Sequence, residues 1–360
     1  MSKIGKKLLV LVQAYPSKQA IYNMSYVHSR HIEYLKQGVC VEVISFSALE
    51  NYIYEGVNVF TKNNVIDIGD YDAVVSHAPN IRNHYVFIKR NLSNLSKVVF
   101  VYHGHEALFV NEYYPKPFAW NEQEGKIKRI LRSVYDVVKL KLLKDLMKHG
   151  KVTSIYVSQW MRGEALKCLG LSHGHDQKNI VINNPINYSF YEKTYTHTDK
   201  LADFITIRPL DDSKYAVDLV VAFARKNPSK EFHIYGKGRM FDYIDKPANI
   251  TVFSEFIEQK NIPNLLNKYV AAVMPTRLDA QGVMMCEMVS YGIPTIVSDL
   301  PVCREMLNDF ENCIFIDNER FNSLDADTLA LQVVGNKKLL ENFAPSALAK
   351  KELDFILNGA

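Results

Sequence analysis

Residues 271–300 constrain this chain most. They read Ala-Ala-Val-Met-Pro-Thr-Arg-Leu-Asp-Ala-Gln-Gly, then Val-Met-Met-Cys-Glu-Met-Val-Ser-Tyr-Gly-Ile-Pro, then Thr-Ile-Val-Ser-Asp-Leu. A short apolar strand is predicted over 271–274, ending at Pro275. A polar loop with Asp279 and Gly282 follows, then a helix over 283–291 stopped by Gly292 and Pro294, then a second strand over 295–297. This order makes a ready anion site, because the first N–H groups of a helix have no partner within it. Glu287 stands eight positions after Asp279, on the helix that leaves the loop. Two carboxylates flanking a phosphate-binding loop suit a ligand with hydroxyls at both ends and phosphate between. A nucleotide sugar is such a ligand.

The rest of the chain supplies a setting for that stretch. A length of 360 residues points to two domains. Apolar content of 48% and charged content of 23% describe a soluble globular protein. A net charge of +4 makes no case for a nucleic-acid partner. The cysteines, at 40, 168, 286, 303 and 313, show no metal-type spacing and read as reduced thiols of a cytoplasmic protein. The apolar run 8–12 after Lys6-Lys7 is too short for a signal peptide, and no run reaches the roughly 18 apolar residues of a membrane span. The expected location is the cytoplasm, soluble or peripheral on the inner face of the membrane.

Short apolar strands alternating with helical patterns imply an α/β architecture of parallel, doubly wound sheets, with ligands beyond the strand C-terminal ends. Residues 1–188 read as a first Rossmann-like domain, with strands near 8–12, 39–46, 57–60, 73–76, 98–102, 154–158 and 178–183 and helices near 21–37 and 159–168. Residues 189–202 are polar and Tyr-rich and read as the connection. Residues 203–340 read as a second such domain, with strands at 204–207, 232–235, 250–253, 271–274 and 295–297 and a helix at 217–226. Residues 341–360 hold a C-terminal amphipathic helix that could pack back on the first domain.

His103, with Gly104, His105 and Glu106, falls at a predicted strand end. It is either a structural, capping imidazole or a group that hydrogen-bonds a sugar hydroxyl or charge developing at a reacting carbon. His105 and Glu106 are lesser candidates. Residues 126–150 carry eight Lys and Arg against two Asp, with Ile127, Ile130, Leu131, Val134, Val138, Leu142 and Leu146 at helical spacing. Two readings fit: a core helix with a solvated basic face, or attachment to an anionic membrane surface.

In the second half, Arg208 and Lys214 share one strand-to-helix loop, where two cations would stabilise a diphosphate leaving group. Gly282 permits close backbone approach, and Val283 and Met284 begin the helix. Glu287 could accept hydrogen bonds from both ribose hydroxyls and Asp279 from those of the transferred sugar. Alternatively Asp279 caps the helix and Glu287 is a surface charge.

These elements in order resemble the retaining glycosyltransferases of family GT4 (glycosyl transferases group 1, GT-B fold): Arg208 and Lys214, Tyr235-Gly236-Lys237-Gly238, Pro275-Thr276-Arg277, Asp279-Ala280-Gln281-Gly282 with Glu287, and Tyr291-Gly292-Ile293-Pro294. The resemblance covers most of 205–305 and thins in the first half. It implies two Rossmann-like domains facing each other across a cleft, an NDP-sugar donor, UDP- or GDP-linked, on the second domain, and a glycan or lipid-linked oligosaccharide acceptor on the first. It assigns Arg208 and Lys214 to the diphosphate, Phe256 and Ile257 to the base and Glu287 to the ribose, with Gly236 among the donor-binding residues. Asp279 and the Gly282, Val283 and Met284 backbone go to the donor sugar, and His103 lies near the reacting carbon. Catalytic parts thus fall to His103, Asp279 and Glu287, with no metal or cofactor and a front-face mechanism that requires no protein nucleophile. The implied role is bacterial surface polysaccharide synthesis. Three departures stand out. Asp279 replaces the usual Glu, Pro209 lengthens the Arg208–Lys214 spacing, and residues 16–25 lack the usual glycine pair. An NDP-sugar 2-epimerase of similar fold and a non-catalytic sugar-nucleotide or glycan-binding relative are the alternatives.

Overall fold

The computed structural model describes residues 5–358 apart from 21–22, 122–124, 172–178, 256 and 335–338. The chain divides into two compact units, Met1–Val110 with Leu131–Pro185 and Pro345–Ala360, and Asn111–Ile130 with Ile186–Ala344.

The first unit holds β1 (Lys7–Val12), β2 (Cys40–Ser45), β3 (Tyr52–Tyr54), β4 (Val57–Phe60), β5 (Ala73–His77), β6 (Val98–Tyr102), β7 (Val152–Tyr156) and β8 (Asn179–Val181), in the order β3-β4-β2-β1-β5-β6-β7-β8. Every pairing is parallel except β3 with β4. The second unit holds β9 (Ala202–Ile207), β10 (Phe232–Tyr235), β11 (Ile250–Phe253), β12 (Tyr269–Met274), β13 (Thr295–Ser298) and β14 (Cys313–Ile316), all parallel, in the order β11-β10-β9-β12-β13-β14. The helices are α1 (Ser25–Lys36), α2 (Val86–Asn91), α3 (Val110–Tyr113), α4 (Lys126–Met147), α5 (Gln159–Leu169), α6 (Tyr188–Tyr191), α7 (Val217–Lys226), α8 (Ile262–Leu266), α9 (Val283–Tyr291), α10 (Pro301–Leu307) and α11 (Pro345–Asn358).

Central strands such as β5 and β6 are buried at every position, as parallel strands covered on both faces must be. The first core packs Leu8, Val10, Val43, Val75 and Val99 with Leu353 and Ile356 of α11. Arg30 of α1 and Glu352 of α11, both buried, approach to 3.5 Å. The second core gathers Phe204, Val220, Phe223, Phe232, Val273 and Ile296.

Two segments behave differently from a bare reading of polarity. Residues 189–202 take part in the second unit's packing: Phe190 is buried with its ring 6.0 Å from that of Tyr291, and the Tyr195 N–H donates to the Tyr291 carbonyl at 2.8 Å. Aromatic rings carry this contact, and a count of apolar periodicity does not register them. Residues 111–121 also join the second unit. Phe118 stacks on Trp120 at 4.5 Å, and the Trp120 indole donates to Asp211 Oδ1 at 3.3 Å.

Helix α4 corrects the core-helix reading over its first half. Leu131, Val134 and Val138, spaced to share a face, are 63%, 56% and 44% exposed. Burial shifts instead to Asp136, Lys139, Leu140, Leu143 and Leu146. Lys139 sets that rotation, donating to the carbonyls of His105 and Leu108 and to Asp136 Oδ1 at 2.7–3.1 Å. A fully paired lysine stem can occupy a core position that an isoleucine pattern would claim. No described helix is long and apolar enough to cross a membrane.

Candidate functional site

In the second unit the loops leaving β9, β10 and β12 sit side by side, because parallel strands in register end together. Phe204 pairs with both Phe232 and Ala271. Arg208 leaves β9 with its own N–H bound to the Tyr235 carbonyl at 3.0 Å. Its side chain is only 8% exposed, and its Nε and Nη2 have no hydrogen-bond partner among the described residues. The guanidinium lies 4.7 Å from the centre of the Tyr215 ring, and the Lys214 ammonium 4.4 Å from the same ring. Tyr215 is thus a shared platform for two cations, each held by the ring's negative face. The sequence offered a signal for it, an aromatic residue immediately after Lys214, which the charge reading passed over.

The Lys214 loop is fixed to its neighbour. The Lys214 carbonyl accepts from the Arg277 N–H at 2.8 Å and from Thr276 Oγ1 at 3.0 Å. Arg277 in turn clasps Asp218 through both terminal nitrogens at 2.8 and 2.6 Å. Gly236 stands where a Cβ would fall 1.9 Å from the Arg208 carbonyl oxygen, so no side chain fits there. Ile257 is half-buried beyond β11, and Phe256 lies outside the described residues.

Asp279 is neither a plain helix cap nor a free carboxylate. Its Oδ1 accepts from the N–H groups of Ala280, Gln281 and Gly282 at 2.8, 3.2 and 2.8 Å. The loop wraps around that oxygen, which the shorter Asp side chain can reach from its own backbone. Gly282 follows at φ 74°, opening α9 in a left-handed conformation that favours glycine. The first helical hydrogen bond runs from the Cys286 N–H to the Gly282 carbonyl at 3.1 Å. The N–H groups of Val283 and Met284 therefore point out of the helix end, both residues half-buried.

Glu287 is buried, 1% exposed, which removes the surface-charge reading. Its Oε1 accepts from the Asn187 N–H at 3.0 Å and from Gln259 Nε2 at 3.1 Å. Burial raises its carboxyl to about 7, against the lowering effect of those two bonds. Asn187 and Gln259 come from segments too polar and irregular to have been singled out.

In the first unit His103 follows β6 as expected for a residue at a strand end. Its N–H and that of Gly104 both donate to Glu106 Oε1, which is buried, so Glu106 organises the loop while His105 is exposed. The His103 ring meets Tyr26 edge-on at 4.8 Å. Its Nε2 lies 3.0 Å from His77 Nδ1. Burial, then Arg30 and His105, hold the His103 imidazole well below its ordinary range. Beyond β1 and β2 the same unit has a cavity of about 560 Å³ whose lining includes Tyr15, Ser45, Ser47, Tyr52 and Tyr54. Among the described residues no group of His, Cys, Asp and Glu side chains is arranged to hold a metal ion.

Residues 189–354 match the family model of glycosyl transferases group 1. By fold, the chain is similar to sucrose-phosphate synthase from Thermosynechococcus elongatus (TM-score 0.69, 12% identity, 96% of this chain and 97% of that one). It is similar to HepE from Anabaena, solved with UDP and glucose (TM-score 0.66, 12% identity, 98% and 100%). It is also similar to WaaG, a glycosyltransferase involved in lipopolysaccharide biosynthesis (TM-score 0.64, 13% identity, 98% and 100%). No curated protein matches the chain by sequence. With its two Rossmann-like parallel sheets the chain has the fold of the GT-B glycosyltransferases, and its residues 189–354 match the glycosyl transferases group 1 model within that fold.

Proposed function

We propose that the chain is a retaining, metal-independent glycosyltransferase of the GT4 type. It takes a sugar from an NDP-sugar, UDP- or GDP-linked, and gives it to a glycan or lipid-linked acceptor of a bacterial surface polysaccharide. The observation that carries this reading is Arg208, a buried guanidinium with two unpaired nitrogens beside Lys214. A buried cation without acceptors is costly, and diphosphate oxygens would provide them in the fork geometry Arg prefers. The N–H groups at the start of α9 offer a second anion contact. Glu287 is the ribose acceptor, Asp279 and the Gly282 loop the sugar site, and the tyrosine-lined cavity of the first unit the acceptor site. The test is a thermal-shift series with UDP, GDP, ADP and their sugars, in EDTA. A ligand at a hundred times its Kd adds about 2.7 kcal/mol, so one nucleotide should stand out. Its sugar should then be transferred with retained anomeric configuration. Stabilisation by none of them overturns the reading, and donor isomerised without transfer supports the epimerase instead.

A lipid-linked acceptor accords with α4, whose exposed Leu131, Val134 and Val138 lie among basic residues in the manner of an interfacial helix. Flotation with anionic liposomes should carry the protein upward, and Val134→Asp with Val138→Asp should abolish this. Equal flotation with neutral liposomes, or none, removes the membrane from the proposal.

A further inference from the structure

His103 has two ring nitrogens, and one is already committed. Its Nε2 meets His77 Nδ1 at 3.0 Å, with the two rings only 24° from coplanar. His77 closes β5, is 0% exposed, and its other nitrogen, Nε2, has no hydrogen-bond partner among the described residues. One proton must lie between the two imidazoles, and there are two ways to place it. If His77 Nδ1 accepted, the single proton of a neutral His77 would sit on Nε2, a buried N–H with nothing to receive it. If His77 Nδ1–H donates, Nε2 keeps only a lone pair. Unpaired buried N–H groups are the rarer and costlier defect.

The surroundings favour the second arrangement. Arg30, buried on α1, acts on His77 as a nearby positive charge, and so, when protonated, do His31 of the same helix and His84. A positive neighbour favours a lone pair over another N–H. Burial first, then His103 and Arg30, with His31 and His84 after them, disfavour a second proton on His77 and keep it neutral. The other groups that bear on His103 are Tyr26, whose ring meets its imidazole edge-on, His105, and Glu106, which holds its backbone N–H. None of them takes the Nε2 position that His77 occupies.

We infer that His77 is a positioning residue: its Nδ1–H donates to His103 Nε2, which places the His103 proton on Nδ1 and presents that N–H as a hydrogen-bond donor. His103 then recognises an oxygen acceptor, such as a sugar hydroxyl, carbonyl or phosphate oxygen, and has no lone pair free at Nδ1 to work as a base. The part this donor plays in turnover rests on the glycosyltransferase reading. The tautomer does not.

The full chain, labelled with ¹⁵N-histidine, gives the tautomer directly from long-range ¹H–¹⁵N correlations at pH 7, with His103→Gln assigning the signal. The expected pattern is a protonated Nδ1 and a bare Nε2 on His103. His77→Asn, whose amide N–H can replace the Nδ1 donor, should keep that pattern, and His77→Phe should turn it into a tautomer mixture. With the donor found by thermal shift, His77→Phe should lower kcat at least tenfold and shift the donor KM less than threefold, with His77→Asn recovering most of the loss. A wild-type His103 protonated on Nε2 overturns the inference, as does an unchanged Nδ1–H pattern in His77→Phe. Should His77→Phe fail to fold, the wild-type and His77→Asn spectra decide alone. Absence of turnover with every nucleotide sugar would strike the proposed function and leave the spectra to judge this pairing.

Discussion

Replacing Arg208 with methionine should abolish nucleotide stabilisation while making the ligand-free protein more stable. The two effects have one cause. In the ligand-free fold the guanidinium is 8% exposed and leaves Nε and Nη2 unpaired, so the structure carries the desolvation of a cation without its acceptors. Methionine fills similar space with no charge, and removing an uncompensated buried cation raises stability by about 1–3 kcal/mol. The same substitution deletes two charge-assisted bonds to phosphate, each worth about 1.5–3 kcal/mol, so affinity for the nucleotide should fall roughly a hundredfold or more. Calorimetry with the nucleotide found by thermal shift checks the affinity, and unfolding of the ligand-free protein checks the stability. Lys214→Met should cost less, since an ammonium makes a point contact and Lys214 is anchored mainly through its backbone carbonyl. Nucleotide affinity within threefold of wild type in Arg208→Met removes the diphosphate role.

How much of this was legible depends on which physics each residue obeys. The strands Val98–Tyr102, Phe232–Tyr235 and Ile250–Phe253 and the helices Val217–Lys226 and Val283–Tyr291 fall where the apolar runs and their Gly and Pro stops place them. Buried parallel strands and amphipathic helices write themselves into local pattern. The hairpin strand β3 did not, because Tyr52, Ile53 and Tyr54 at a sheet edge make no apolar run. The exposed face of α4 stays ambiguous in sequence, between a core stripe and a membrane-facing one, since spacing identifies a stripe and not the side on which a core lies. Around the candidate site, Arg208, Lys214, Gly236, Asp279, Gly282 and Glu287 were named from motif order. Tyr215, Asn187, Gln259 and His77 were not, because each matters through one non-local contact: a ring under two cations, two donors to a carboxylate, an imidazole behind an imidazole. Such contacts have no period.

Glu287 gives the second large effect, and its sign reverses with pH. Burial raises its carboxyl to about 7 in the fold, against roughly 4.3 in an unfolded chain. A group whose pKa is higher when folded contributes stability that is complete below the unfolded value and is lost as pH rises through the folded one. The ligand-free protein should therefore lose about 3 kcal/mol from this group between pH 4 and pH 8, most of it between pH 5 and 7. Glu287→Gln keeps an oxygen to accept from Asn187 and Gln259 and cannot ionise. Its melting temperature should exceed that of wild type at pH 8 and its stability should lack this decline between pH 5 and 7. Binding runs the other way. Hydroxyl donors are held best by the carboxylate, so wild-type affinity for the nucleotide sugar should rise about tenfold from pH 6 to pH 8, whereas Glu287→Gln should bind 10- to 100-fold more weakly at pH 8 and show no such rise. A nucleotide sugar is the right probe, because both of its phosphates stay ionised across this range. Equal wild-type affinity at pH 6 and pH 8, or wild-type affinity in Glu287→Gln at pH 8, would show that the hydroxyls are held elsewhere. Both outcomes together follow from one buried carboxylate kept at a cost to the fold and charged for a ligand.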